Sequence, residues 1–272
     1  MKTFLVTFAI LAIVGTAFGA AGSTIRSFTL PGQPAQGPRG VAYDWSDDNI
    51  WVAGPQRTNS IIFGKFNPTT GSMVVNWRSA TGAYWVFDIG YGYQVGGTRY
   101  LLFVDQNAPR LRLFTTAGSQ YGSIQNPFSG GYNEGVACDW GGKLVYGTNY
   151  SYGDIYKWSG TAWSKFATCP GRPPMGCATG WDKVFVVTTS ADYKIYQFST
   201  TGSLEKSIPL LNWGRRYMVG MSIGRKDVVG NEDSVFLCIF YPSKMIYEVS
   251  VGDIVGTGIV PTSLGKIKSL YK

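Results

Sequence analysis

The sequence predicts an all-β protein, a five-bladed β-propeller with four-stranded antiparallel blades. Three observations predict it: the composition, a repeated strand pattern, and a first strand that has no partner before it. The chain of 272 residues contains 36 Gly, 17 Tyr, 15 Phe and 9 Trp but only 15% charged residues. This mixture favours strands and tight turns over helices.

A segment rich in small residues recurs five times. After each copy come two hydrophobic strands, a turn that usually contains glycine, such as FNPTTG (66–71), and an outer strand. A repeat of about 40–50 residues with four short strands is typical of a propeller blade, whereas a β-sandwich, the alternative, has no reason to repeat one strand motif. The copies are GVAYDW (40–45), WVFDIG (85–90), GVACDW (135–140), GCATGW (176–181) and VGMSIG (219–224), in blocks 23–71, 72–118, 119–160, 161–202 and 203–252.

The two ends of the repeat predict how the ring closes. The strand STIRSFTL (23–30) has the character of an outer strand, but no inner strands precede it. The last block supplies three strands and lacks a fourth. Pairing the N-terminal strand with them completes a fifth blade and hides an exposed edge.

The chain ends predict export and a short tail. Residues 1–19 have a lysine, an apolar run and small residues before Ala20, the pattern of a cleaved signal peptide. We therefore expect a secreted protein, extracellular or periplasmic, with no transmembrane segment after signal cleavage. The propeller is expected over 20–252, and 253–272 is a C-terminal strand or tail.

Four cysteines are present in this exported chain. Cys169 and Cys177 bracket CPGRPPMGC, a loop that proline and glycine can fold back on itself. The pair is either a disulfide or two core thiols, and the spacing fits both.

The formal charge is +8, but the basic residues do not cluster, so no nucleic-acid partner is expected. The lysines of the tail could dock on the rim or attach the protein elsewhere, which leaves self-association open.

The absence of histidine restricts the chemistry most strongly. It excludes Ser-His-Asp and Cys-His catalysis and histidine-bound metals, and no motif indicates a metal or cofactor. Carboxylates remain. Asp44 and Asp139 follow inner strands and are expected to form turns, whereas Glu134 and Asp88 are expected near the channel mouth, where a pair of carboxylates could serve a glycosidase.

The repeat resembles the streptogramin lyase and NHL-like group of propellers. The matching pieces are GVAYDW with FGKFNPTTG and GVACDW with DIYKWSG, and the resemblance covers most of 23–252. It implies the propeller fold. In the lyase branch it also implies a catalytic histidine and magnesium-assisted elimination, which this chain cannot supply.

Ligand binding is predicted on one face of the ring. Loops that enter the inner strands share a face with those that join the two middle strands, and here they carry aromatic, Asn and Arg side chains suited to a carbohydrate or protein ligand. The expected function is a non-enzymatic binding or extracellular structural module. The alternatives are a carbohydrate-active lyase or hydrolase that uses carboxylate, Tyr and Arg groups, and a self-assembling cell-surface component. The candidate ligand-binding residues are Arg39, Tyr84, Trp85, Glu134, Tyr150, Arg172, Trp213 and Arg216.

Overall fold

The computed structural model describes residues 20–57, 60–80, 86–105, 110–126, 133–139, 141–189, 192–213, 217–225, 232–241 and 243–254. Within these ranges, twenty strands form five four-stranded antiparallel sheets, which confirms the five-bladed propeller. The predicted signal peptide (1–19) and the tail from residue 255 onward lie outside the described residues. In the part that is described, no helix is long and apolar enough to cross a membrane.

Each blade runs from an inner strand at the axis to an outer strand at the rim. The first strand of the described residues is β1 (Thr24–Phe28), an outer strand. Blade 1 is β2 (Gly40–Asp44), β3 (Asn49–Arg57), β4 (Ser60–Phe66) and β5 (Met73–Ala80); blade 2 is β6 (Val86–Val95), β7 (Thr98–Asp105), β8 (Arg110–Phe114) and β9 (Gln120–Gln125); blade 3 is β10 (Asn133–Cys138), β11 (Val145–Asn149), β12 (Asp154–Trp158) and β13 (Trp163–Thr168). Blade 4 is β14 (Pro174–Gly180), β15 (Lys183–Thr188), β16 (Lys194–Ser199) and β17 (Leu204–Pro209); blade 5 is β18 (Tyr217–Ile223), β19 (Asp233–Tyr241) and β20 (Met245–Gly252), completed by β1.

The ring closes as the sequence predicts, because β1 pairs with β20. A buried carboxylate, Glu248 on β20, fastens this seam. Arg26 of β1 lies 2.8 Å from it and Arg225, which follows β18, lies 2.7 Å from it. Ser234 of β19 donates a further hydrogen bond of 2.8 Å. One side chain thus ties the N-terminal strand to the three strands contributed by the other end of the chain.

The five inner strands meet around the axis in the order β2, β6, β10, β14, β18. The strand pairings show which residues of the five inner strands lie at the same height along the axis, and we call each such set a level. At one level, four blades have glycine and blade 2 has Asp88. The blades converge tightly here, since a Cβ added at Gly176 would lie 2.4 Å from the backbone nitrogen of Met221. The four glycines at this level are Gly40, Gly135, Gly176 and Gly220.

Apolar side chains fill the spaces between blades, as in Phe63 against Phe103, whose ring centroids are 5.7 Å apart. The four cysteines are free and buried. Cys169 and Cys177 belong to one apolar cluster between blades 3 and 4, so of the two alternatives for this pair the structure has core thiols.

We call the face with the loops that enter the inner strands the top face. The opposite face, with the loops that leave them, is the bottom face. Of the predicted ligand-binding residues, Arg39, Glu134, Tyr150, Arg172 and Trp213 are described, and they lie in top-face loops or at the ends of strands that adjoin them.

Candidate functional site

A buried carboxylate closes the axis towards the top face. In blades 2 to 5 the register of the inner strand shifts at this level, and such bulges turn backbone groups out of the ladder. Oδ1 of Asp88 accepts from the backbone N–H of Ile89 at 2.8 Å, and Oδ2 accepts from Val136 at 3.2 Å and Cys177 at 3.5 Å. Met221 is a fourth backbone donor. One side chain therefore satisfies inner-strand amides of four blades.

The environment of Asp88 is structural in character. Burial raises the pKa of its carboxyl group well above the ordinary value, and the four backbone donors oppose that rise. Because the side chain is fully buried and both oxygens accept backbone N–H groups, it does not present a carboxylate to a substrate.

The level just above Asp88 holds the side chains of Arg39 and Glu134, both buried. The guanidinium carbon of Arg39 lies 5.0 Å from the ring centre of Phe87 and 4.4 Å from that of Phe240, so the cation is held between two aromatic faces. Burial lowers the pKa of Arg39, and the nearby Glu134 partly offsets that fall. Burial also raises the pKa of Glu134 to about 8, against the lowering effect of Arg39.

The structure brings some of the predicted residues together. Arg39 and Glu134 share the site around Tyr217, whose pKa burial and Glu134 raise to about 12. Tyr150 lies close enough to Tyr217 to contribute to this rise. These side chains form the centre of the top face.

Other predicted residues are not part of this centre. Arg172 is exposed and lies against Gly153 at the edge of the top face. Trp213 is only 2% exposed and packs on Tyr247 with ring centroids 5.1 Å apart, so it supports the core. Tyr84, Trp85 and Arg216 lie outside the described residues.

Two exposed tyrosines lie on the top face. Tyr241, at the end of β19, is 65% exposed, and Tyr152, in the loop after β11, is 57% exposed. Leu211, in the loop before β18, is also exposed. The other large apolar residues found exposed in the described part of the chain, Val74, Tyr121 and Leu204, lie on outer strands at the rim.

The cavity on the axis opens to the bottom face. Below Asp88 the inner strands diverge around a funnel of about 270 Å³, its open mouth included. Its walls are built from small residues such as Ala42 and Gly90, and Trp45 lies at its mouth. Trp45 reaches from blade 1 to Trp181 of blade 4, at 6.3 Å and perpendicular to it.

A groove of about 510 Å³, its open mouth included, continues from this funnel between blades 1, 2 and 3. The two spaces share Trp45 and Tyr91. The remaining groove residues are polar: Asp44, Ser46, Arg99 and Asp139.

Neighbouring groups hold the groove side chains in place. Asp44 accepts from Trp51 at 3.1 Å and lies 2.6 Å from Lys65. It also accepts from the hydroxyl of Tyr91, whose pKa burial and Asp44 raise to about 12. Asp139 accepts the backbone N–H groups of Lys143 and Leu144 through Oδ1. Asp44 and Asp139 therefore form the predicted turns and also line the groove.

The sequence interpretation did not identify the bottom groove. A signal was present, because Trp follows the inner strand in GVAYDW, GVACDW and GCATGW. Blade architecture explains the small residues of this motif, and its tryptophan is the part that architecture leaves unexplained. In the described residues, no group of three or more His, Cys, Asp or Glu is placed to hold a metal ion.

Fold and site together define a five-bladed propeller with an aromatic top face and an open bottom cavity. No protein-family model matches the chain, and no curated protein matches it in sequence. Among solved structures, it is similar to glutaminyl cyclase from Myxococcus xanthus, with 10% identity, TM-score 0.55, and 83% of this chain and 94% of that chain covered. It is also similar to a chain of a nidogen/laminin complex, with 14% identity, TM-score 0.53, and coverage of 75% and 76%.

The streptogramin lyase group, which the repeat resembles, is also found among the similar structures. A catalytically inactive variant of virginiamycin B lyase from Staphylococcus aureus, with quinupristin, matches at 14% identity and TM-score 0.49 over 82% of this chain and 69% of that chain. At identities this low, the comparisons show a shared fold and do not assign an activity.

Proposed function

We propose that the chain is a secreted, non-enzymatic binding propeller that binds a protein partner through its top face. The observation that carries the proposal is the pair of exposed tyrosines, Tyr152 and Tyr241, beside a buried centre of Arg39 and Glu134. Secretion rests on the signal-peptide pattern of residues 1–19.

The physical reason lies in how tyrosine and arginine contribute to protein interfaces. Tyrosine offers a large, rigid contact surface with a polar tip, and both residue types are enriched at energetic hot spots. Here the loops that carry them are anchored on a ring of closely packed blades, so little conformational entropy is lost on binding.

The nidogen/laminin complex supports a protein partner by analogy of fold, since a propeller of similar architecture is found there with another protein. The position of Asp88 weighs against the glycosidase alternative. That mechanism needs two accessible carboxylates across a sugar, and Asp88 is fully buried among backbone donors.

The proposal is tested with the purified protein as bait for the extracellular proteins of its source. We expect a partner that is retained by the wild type and lost by the double variant Tyr152→Ala/Tyr241→Ala. The matched control is Tyr121→Ala, since Tyr121 is 55% exposed but lies on the outer strand β9. The affinity for the recovered partner is then measured by calorimetry, where the double variant is expected to bind at least about tenfold more weakly.

Equal retention by the double variant and the wild type would contradict binding through the top face. Sedimentation of the purified protein tests the self-assembly alternative, which predicts large oligomeric species. A glycan array tests whether the top face is instead a lectin site, which predicts glycan binding by the wild type that the double variant loses.

A further inference from the structure

We propose that the bottom groove is a second binding site, specific for a neutral hexose unit of a glycan, and independent of the top face. The groove combines aromatic walls with a few polar groups, as small-molecule sites do.

The aromatic wall gives a sugar ring an apolar surface to stack on. Trp45 and Tyr91 are both half-buried, so part of each ring remains accessible in the groove. Trp45 is held edge-on by Tyr43 at 5.1 Å, and Tyr91 is held through its hydroxyl by Asp44. Both rings are therefore positioned before a ligand arrives, which reduces the entropy lost on binding.

Arg99 and Asp139 supply a donor and an acceptor for sugar hydroxyls. When the side-chain amide of Gln94 is turned so that its oxygen faces Arg99, this oxygen accepts from the guanidinium at 3.3 Å. The backbone passes closely beneath it at Gly92, where a Cβ would lie 3.3 Å from the guanidinium. Asp139 uses Oδ1 for its turn, so Oδ2 is the oxygen that a ligand hydroxyl would contact.

The charges around the groove favour a neutral sugar over an acidic one. Arg99 lines it together with two carboxylates, Asp44 and Asp139, and a second cation, Lys65, pairs with Asp44 and Asp47. Asp47 lies near enough to act on the pKa of Tyr91. A uronic acid carboxylate would meet more negative than positive charge here.

The experiment is saturation-transfer NMR with intrinsic tryptophan fluorescence, using glucose, galactose, mannose and glucuronic acid as probes. We expect saturable binding of at least one neutral hexose with a dissociation constant on the order of 1 mM, and weaker binding of glucuronic acid. Trp45→Ala and Arg99→Gln are each expected to weaken binding at least about tenfold.

The control is Tyr241→Ala, which alters the top face and is expected to bind the hexose normally. Arg99→Gln removes no buried ring, so it tests the site even if Trp45→Ala disturbs the fold. Three results would overturn the proposal: no saturable binding of any neutral hexose, binding unchanged in Arg99→Gln, or preference for glucuronic acid. The two faces are tested with different variants. The hexose site can therefore be disproved while the proposal of protein binding at the top face is retained, and the reverse.

Discussion

The two ends of the propeller axis are built from the same five strands and differ in what they enclose. Towards the top face the blades converge on Asp88, with Arg39 and Glu134 above it. Towards the bottom face the same strands diverge into a funnel and groove lined by Trp45 and Tyr91. The closed end buries three ionisable side chains, whereas the open end has a cavity.

This contrast shows that a buried, strongly shifted titratable group does not by itself mark a ligand site. The carboxylate of Asp88 is occupied by backbone donors of four blades, and its role is to join the ring. At the open end, Asp44 is equally occupied, but it holds Tyr91 at the edge of a cavity. The buried carboxyl group at the closed end therefore joins the blades, whereas the one at the open end lines a cavity.

The largest expected effect is at the closed end. Asp88→Asn replaces one acceptor oxygen by an NH₂ group that faces backbone donors. If it leaves Val136 and Cys177 without an acceptor, the cost is about 1–3 kcal/mol for each group, or about 2–6 kcal/mol in total. Denaturant unfolding followed by tryptophan fluorescence measures this loss.

The matched control is Asp139→Asn at the open end. The amide oxygen can still accept the N–H groups of Lys143 and Leu144, so we expect a change within about 0.5 kcal/mol. If Asp88→Asn destabilises the protein no more than this control does, Asp88 does not join the blades.

The second prediction concerns pH. The pKa of Glu134 is raised from 4.5 to about 8, so between these values the folded state holds a proton that the unfolded state has lost. Stability should therefore fall as pH rises from about 5 to 8, by up to about 1.4 kcal/mol per pH unit. Glu134→Gln should remove this slope in denaturation curves recorded across the range.

The absence of histidine removes the usual source of titration in this window. Glu205→Gln is the control, because its hydrogen bond with Lys183 lowers the pKa of Glu205, and it should retain the slope. A slope that persists in Glu134→Gln belongs to another group, such as Asp88, whose pKa burial also raises well above the ordinary value.

The sequence predicts most of the fold because blade architecture is written in local and periodic patterns. Small residues recur where inner strands converge, and Gly71 has the positive φ of 70° expected in its turn. Closure by β1 follows from counting strands, since the last block has three. None of these inferences requires the distance between residues that are far apart in the sequence.

The site was less predictable, because it depends on register and on which end of the axis is closed. WVFDIG was recognised as a copy of GVAYDW, but pairing shows that DIGY of blade 2 aligns with GVAY of blade 1. Asp88 therefore takes the place of a glycine at the axis. That position is set by bulges between strands, which one sequence does not show.

The third prediction compares glycines at two levels of the inner strands. At the closed level, Gly176→Ala places a Cβ 2.4 Å from the backbone nitrogen of Met221, and we expect a loss of about 1–3 kcal/mol. At the funnel level, the new Cβ in Gly90→Ala has its nearest contact at 3.4 Å, with the Sγ of Cys138, and other blades carry alanine or serine there. Thermal unfolding should show Gly90→Ala near the wild type, and equal losses in the two variants would contradict a closed end.

The smallest expected effect is that of Tyr91→Phe at the open end. The variant keeps the ring that lines the groove and removes the hydroxyl that donates to Asp44. Asp44 retains Trp51, Ser46 and Lys65 as partners, so the loss should be only about 0.5–1.5 kcal/mol. Hexose binding should weaken less than in Arg99→Gln, because the stacking surface remains. If Tyr91→Phe instead abolishes binding at unchanged stability, the hydroxyl contacts the sugar itself, and Tyr91 is a direct ligand-binding residue of the groove.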